Sequence, residues 1–270
     1  MRRVFLLLAL VLPLVAGCGA QKGGALDDAS RAMADAGSSR VEMTVTAGKK
    51  TLFTAAGVFD YERDRGKLVM QAESETEDFD PFGDELEVRF IGRTIYSGWM
   101  LKGKMRWTKE EGYEPEDAVE ALVPVPGGTN PDRVLGLLLK SSKEVEVLGK
   151  DDVRGVAAKH YRAHLDEEKL GDGATEYAPA GKERDVIVDA WIDGEGLVRR
   201  LGMPDYGEGP GAITFDFFDF GVKVDVEPPP AAEVISEDEL DRLLTGECVA
   251  QNKNGDGKLL VCGTGVTTKP

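Results

Sequence analysis

Short runs of alternating apolar and polar residues make up most of the chain. In the first run, Val41, Met43 and Val45 alternate with polar residues, which is the period of two typical of a half-buried strand. Similar runs follow one another up to Phe220, separated by short polar turns, and bring the count to about eleven strands. Strands this close in sequence are joined by hairpins, so the pattern predicts an antiparallel sheet.

A helical period appears at a few places between these runs. It predicts an opening helix over residues 26–36, which Gly37 ends as a C-cap. Two further helices are predicted over residues 115–122 and 130–139, and the second has a wide apolar face. A capping box over residues 236–239 begins the last helix. Strands and helices in this order predict the α+β class.

The N-terminus has the layout of an export signal. Arg2 and Arg3 precede an apolar run over residues 4–15, and Ala16-Gly17 then leads to Cys18. This ending resembles the lipobox of bacterial lipoproteins, in which Cys18 receives a diacylglyceryl group and the chain is cut before it. An ordinary signal peptide with a chance cysteine is the alternative. An uncleaved anchor is disfavoured because the run is short for a hydrocarbon core of about 30 Å.

These features divide the chain into four parts. We expect a lipoprotein signal peptide over residues 1–17, a lipidated tether over 18–25, a folded domain over 26–245 and a C-terminal tail over 246–270. Two acyl chains hold a protein stably at a membrane, at about 0.8 kcal/mol for each buried methylene. The expected location is therefore the extracytoplasmic face of the cell membrane.

The charge of the chain restricts its partners. The formal net charge is −16 at pH 7, which disfavours a nucleic-acid partner because phosphates are bound by clustered cations. It also disfavours attraction to anionic lipid head groups, so the covalent anchor must supply the membrane affinity. We expect a monomer.

Two cysteines remain after Cys18 is assigned to the anchor. Cys248 and Cys262 lie near the end of an exported chain, where a disulfide is the natural assignment. It would close a loop of about 15 residues, worth roughly 3 kcal/mol in the chain-entropy model. A metal site is the alternative, but no histidine or further cysteine lies nearby in sequence to complete it.

Other candidate metal sites have simpler explanations. His160 and His164 are the only histidines, and their strand would point them away from an apolar face, with no third ligand evident. The acidic segment over residues 73–85 is a calcium loop or a solvated turn, and it lacks the Asp-x-Asp-x-Asp-Gly spacing of the former. The segment over residues 252–257 would need a glutamate where Gly263 stands, so we interpret it as a hairpin turn.

Catalytic motifs are not found in the sequence. There is no Gly-x-Ser-x-Gly elbow and no glycine-rich phosphate loop ending in Lys-Ser or Lys-Thr. We therefore expect no enzyme, no metal and no cofactor.

Three sequence motifs resemble those of a known family. They lie over residues 147–162, 191–200 and 219–226, and their order resembles the LolA-like lipoproteins of actinobacteria, the LppX/LprG group. The resemblance covers residues 26–244 and leaves the tail outside. It implies a strongly curved antiparallel sheet, a half-barrel, with helices over its concave face. It also implies a cavity for acyl chains and a role in carrying lipids or lipoglycans through the envelope, without catalytic residues.

The residue pattern offers candidates for the wall of such a cavity. They are apolar residues of the strands and of the helix over residues 130–139: Met43, Val45, Leu68, Met70, Leu86, Val88, Phe90, Leu135, Leu138, Leu139, Val188, Ile192, Phe215 and Phe217. Flexible methionine and leucine side chains suit variable acyl chains. The same residues could instead fill a dry core. In that case the chain would be a solidly packed interaction or sensory module without a ligand.

Overall fold

The computed structural model describes residues 22–72, 85–101, 103–112, 141–166, 186–204, 212–245, 248–252 and 258–262. The helices predicted over residues 115–122 and 130–139 lie outside the described residues. Most of the acidic segment over residues 73–85 also lies outside them. No helix among the described residues is long and apolar enough to cross a membrane.

The elements follow the order that the sequence predicts. Helix α1 (Lys22–Ala36) precedes eleven strands of one sheet: β1 (Ser38–Ala47), β2 (Lys50–Asp60), β3 (Arg65–Ala72), β4 (Leu86–Ile91), β5 (Thr94–Leu101), β6 (Lys104–Glu111), β7 (Ser142–Val153), β8 (Val156–Leu165), β9 (Ile187–Asp193), β10 (Val198–Met203) and β11 (Ala212–Phe218). Helix α2 (Glu237–Thr245) and a separate hairpin, β12 (Cys248–Asn252) with β13 (Lys258–Cys262), end the chain.

The sheet consists of two meanders joined in the middle. Its order is β6-β5-β4-β3-β2-β1-β11-β10-β9-β8-β7, and all neighbouring strands are antiparallel. β6 and β7 follow each other in sequence but lie at opposite edges, so the sheet is not closed into a barrel. The predicted α+β class with an antiparallel sheet of about eleven strands is confirmed.

One strand differs in extent from its prediction. The sequence predicts a strand that ends at Leu148 and a turn over residues 149–155, which is wrong because β7 continues to Val153. A register shift between Val147 and Gly149 leaves Leu148 without a partner in β8. Such a bulge absorbs one residue and lets the ladder continue. The turn itself contains only Arg154 and Gly155.

Helix α1 lies across one half of the sheet. Its predicted stripe is confirmed, since Leu26, Ala29 and Met33 are fully buried, and Gly37 ends the helix in the left-handed conformation, at φ 72°. α1 contacts both β1 and β7. A helix of 15 residues is about 22 Å long, close to the distance of about 24 Å across five strand spacings. The helix therefore crosses the strands from β1 to β7.

A second crossing segment, which we call the strap, comprises residues 219–236. It begins at the centre of the sheet, where the Gly221 N–H donates to the carbonyl of Ser38 at 2.9 Å. Further along, Arg89 of β4 donates to the carbonyl of Glu227 at 2.8 Å. The strap ends at β6, where the Ile235 N–H donates to the carbonyl of Trp107 at 2.7 Å. The strap thus crosses the N-terminal half of the sheet from β1 to its edge.

Over residues 222–230 the strap is extended and amphipathic, and a short 3-10 helix (Ala231–Glu233) follows. Val224 and Val226 are buried, while the residues that alternate with them are exposed. Three prolines, residues 228–230, then keep the chain extended without a place in the ladder. The predicted capping box at the start of α2 is present, because the Glu239 N–H donates to Ser236 Oγ at 3.2 Å.

Candidate functional site

One face of the sheet is apolar across ten of its eleven strands, and we call it the apolar face; on the edge strand β6, Arg106 pairs with Trp99. A row of directly paired side chains crosses ten strands on this face, from β5 to β7; we call it the central row. Its members are Trp99, Leu86, Met70, Ala55, Met43, Phe215, Leu201, Ala190, Tyr161 and Val147. None of them carries a charge.

Two shorter rows flank the central row. One consists of Val88, Leu68, Gly57, Val41 and Phe217. The other consists of Phe53, Val45, Ile213 and Met203. Phe59 and Phe90 stack at a ring-centroid distance of 5.7 Å next to the first of these rows. The apolar face therefore extends over several residues along the length of the strands.

The structure brings the described cavity candidates onto this one face. They are Met43, Val45, Leu68, Met70, Leu86, Val88, Phe90, Val188, Ile192, Phe215 and Phe217, and their exposed fractions run from 0% for Val45 to 8% for Phe90. Leu135, Leu138 and Leu139 lie outside the described residues. Burial at this level fits both a covered cavity and a filled core.

Several members of the face were not among the predicted cavity residues. Ala55, Leu201 and Ala190 occupy the central row, and Tyr161 continues it toward the edge. Their alternation with polar neighbours is visible in the sequence. Their place between larger side chains is set by cross-strand register, which the sequence of one strand does not contain.

A buried hydroxyl pair lies beside the apolar face, near the turn between β2 and β3. The hydroxyl oxygens of Ser39 and Tyr61 are 2.5 Å apart, and Ser39 is fully buried. Burial raises the pKa of Tyr61 well above its ordinary value, and the hydrogen bond with Ser39 opposes this only in part. The pair is therefore neutral at physiological pH and adds no charge to the face.

The histidines lie on the opposite face, as predicted. Tyr161, Ala163 and Leu165 are buried on the apolar side of β8. His160 stacks on Trp191 with ring centroids 4.1 Å apart. Its Nδ1 is 3.2 Å from an Asp151 oxygen and its Nε2 is 3.5 Å from an Asp189 oxygen.

This opposite face is held together by paired charges. Arg162 makes two hydrogen bonds to Asp189, both 2.8 Å long. Arg200 makes two to Asp216, at 2.5 and 2.7 Å. In the part of the chain that the structure describes, no three His, Cys, Asp or Glu side chains are grouped so as to hold a metal. One face of the sheet is therefore apolar, and the other carries ionic cross-strand pairs.

The candidate cysteines are placed only in part. Cys248 and Cys262 face each other directly in the register of β12 and β13, while Cys18 lies outside the described residues.

The fold and the apolar face define a class: an open, eleven-stranded antiparallel sheet with one apolar face and a helix laid across it. No protein-family model matches the chain. The chain is similar to an uncharacterised protein of Streptomyces griseus, with 29% identity over 38% of this chain and 37% of that protein. The chain thus spans little more than a third of this relative. It is also similar to a candidate lipoprotein of Streptomyces coelicolor, with 27% identity over 80% of this chain and 75% of that protein.

Solved structures give the same resemblance. LprF from Mycobacterium bovis is 16% identical with a TM-score of 0.48, over 77% of this chain and 97% of that one. The lipoprotein LppX from Mycobacterium tuberculosis is 16% identical with a TM-score of 0.45, over 76% and 98% respectively. LppX is a member of the group that the three sequence motifs resemble.

Proposed function

We propose that this protein is a membrane-anchored, extracytoplasmic lipoprotein that binds a lipid or a similar amphiphile against the apolar face and carries it. The observation that carries the proposal is the central row, in which ten paired side chains cross ten strands without a charge. Similarity to a candidate lipoprotein over 80% of the chain supports the anchor.

Binding on such a face depends on area rather than on specific polar contacts. Removing apolar surface from water contributes about 25 cal/mol per Å², so a long acyl chain gains affinity from every methylene it buries. Met43 and Met70 lie in the middle of the central row, and unbranched thioether side chains adapt to ligands of varying shape. The proposed ligand is therefore a lipid or lipoglycan with acyl chains.

The remaining parts of the proposal concern the ends of the chain. Diacylation of Cys18 after removal of residues 1–17 would hold the domain at the membrane. A disulfide between Cys248 and Cys262 would close the tail; directly opposite residues of an antiparallel pair have Cα atoms about 4.5–5.5 Å apart, within the range that a disulfide needs. We propose no catalytic step.

The test is native mass spectrometry of the full anchored protein, extracted from membranes of a Streptomyces host. An adduct of lipid mass that is lost on denaturation, beyond the acyl groups on Cys18, is the expected result. A protein that shows no adduct, even after incubation with envelope lipids, would contradict the proposal.

A pair of variants distinguishes a cavity from a packed core. Met43→Trp adds volume on the apolar face, and Thr44→Trp is the matched control on the other face of the same strand. If the face lines a cavity, Met43→Trp lowers lipid occupancy and loses less than about 1 kcal/mol of stability. If it fills a dry core, overpacking by Met43→Trp destabilises the fold by about 1–3 kcal/mol. The latter result, with no adduct in the parent, favours the packed interaction module.

A further inference from the structure

The two edges of the sheet are covered differently. At β6, Val234 pairs with Trp107 as a parallel bridge, and the Ile235 N–H donates to the carbonyl of Trp107. At β7, no strand pairs with the outer side among the described segments of the chain. Within the described part of the chain, β7 is therefore the edge without a further strand.

The apolar face reaches solvent at this open edge. Val147 ends the central row with 43% of its surface exposed, and its neighbour Leu148, the bulged residue, is 45% exposed. The other large hydrophobic side chains exposed among the described residues, Met100 and Leu244, stand singly. Among the described residues, an exposed apolar pair continues a buried apolar row only at β7.

Helix α1 leads from the expected anchor to the same edge. Its C-terminal end adjoins β1, and Ala32 lies against Gly196 in the turn between β9 and β10. Because β7 lies beyond β9 in the sheet, its contacts with α1 are made by the part of the helix that precedes Ala32. Cys18 is four residues before the helix start at Lys22, so the chain between them reaches at most about 14 Å.

We infer that the β7 edge around Val147 and Leu148 contacts the bilayer surface and forms the entrance through which acyl chains pass onto the apolar face. This inference rests on the proposed lipid binding and on the anchor at Cys18. The charges of β7 are mixed in sign, namely Lys143, Glu144, Glu146, Lys150, Asp151 and Asp152. The contact is therefore apolar and is maintained by the anchor, not by attraction to anionic head groups.

The first test measures lipid uptake by the full anchored protein in phosphatidylcholine vesicles that contain a pyrene-labelled phospholipid. In the double variant Val147→Asp with Leu148→Asp, the uptake rate is expected to fall about tenfold, since each charge at the entrance opposes apolar contact. Lipid occupancy at equilibrium in detergent stays at the parental level. Met100→Asp is the matched control, because it places the same charge on an equally exposed methionine near the other edge.

The second test does not measure uptake and does not use the double variant, so it remains valid even if that variant fails to fold. Leu148→Trp places an indole at the proposed contact, and Met100→Trp places one away from it. In vesicles of brominated phosphatidylcholine, we expect quenching of the added fluorescence in Leu148→Trp and none in Met100→Trp.

The outcomes separate the inference from the function on which it rests. Three results would contradict the inference that β7 is the entrance. They are an unchanged uptake rate in the double variant, an equal loss of uptake rate in Met100→Asp, and equal quenching at positions 148 and 100. A dimeric parent that becomes monomeric in the double variant also overturns the inference, because the edge would then be an interface between two copies. Absence of any lipid adduct contradicts the proposed function, and quenching at Leu148 would still support the membrane contact.

Discussion

At the scale of single residues, two glycines show how aromatic side chains fit onto this sheet. A Cβ at Gly66 would lie 2.4 Å from the Phe59 ring, and a Cβ at Gly98 would lie 2.7 Å from the Trp107 ring. Each aromatic ring therefore covers a glycine on the neighbouring strand. Glycine weakens a strand by itself, and a cross-strand aromatic ring that covers it restores the packing.

Gly98→Ala tests this packing directly. The added methyl group must displace the fully buried Trp107 ring, and such overpacking lowers the free energy of unfolding by about 1–3 kcal/mol. Gly194→Ala is the control, because no atom lies within 4 Å of its Cβ and its φ is not positive. Urea unfolding of the two variants measures the difference; equal midpoints would contradict the contact at Trp107.

Tyr61 gives the fold a dependence on alkaline pH. Because burial raises its pKa above the ordinary value of 10.0, the folded protein keeps the phenol proton at pH values where the unfolded chain loses it. The stabilisation is complete below about pH 10 and declines as the pH rises further. We expect the free energy of unfolding to fall from pH 9 to pH 11, and to fall less steeply in Tyr61→Phe. Parallel pH profiles would show that Tyr61 is not responsible.

At the scale of elements, the strap and α1 are the two parts that cross strands instead of extending the sheet. α1 covers the half from β1 to β7, and the strap crosses the half from β1 to β6. Sequence periodicity predicted the helix, whereas residues 219–226 entered the sequence analysis only through the family resemblance. Periodicity could not predict their direction, because the partners of Val226 and Leu26 are far away in sequence.

The strap is expected to depend on its buried valines. Val226 is 3% exposed, so Val226→Asp buries a charge without a partner and lowers the free energy of unfolding by about 2–4 kcal/mol. Lys223→Asp places the same side chain on the exposed side of the strap and should change stability by less than about 0.5 kcal/mol. Limited proteolysis within residues 219–236 is the measurement, and cleavage should increase only in Val226→Asp. Equal cleavage of both variants would mean that the buried valines do not hold the strap.

At the scale of the whole molecule, short-range sequence periodicity and long-range strand pairing determine different features of the fold. The α+β class and the number of strands follow from short-range periodicity, since alternation at Val41, Met43 and Val45 needs only the neighbouring residues. The pairing of β1 with β11 does not, and it decides that β6 and β7 are the edges. The exposure of Val147 at the end of an apolar row is therefore a property of the assembled sheet. For the same reason, the sequence could name Phe215 and Met43 as candidates but could not show that they are neighbours.

The proposed anchor concerns the whole molecule. With a formal net charge of −16, the domain is not attracted to anionic lipids, and a few exposed apolar side chains bind a bilayer only weakly without a tether. Cys18→Ser should therefore move the protein from the membrane fraction to the soluble fraction, as measured by cell fractionation and immunoblotting. Cys248→Ser is the control, because it removes a cysteine without removing the lipidation site and should leave the protein in the membrane fraction. If the Cys18→Ser protein stays with the membrane, the N-terminal apolar segment itself is the anchor, and the lipobox interpretation is wrong.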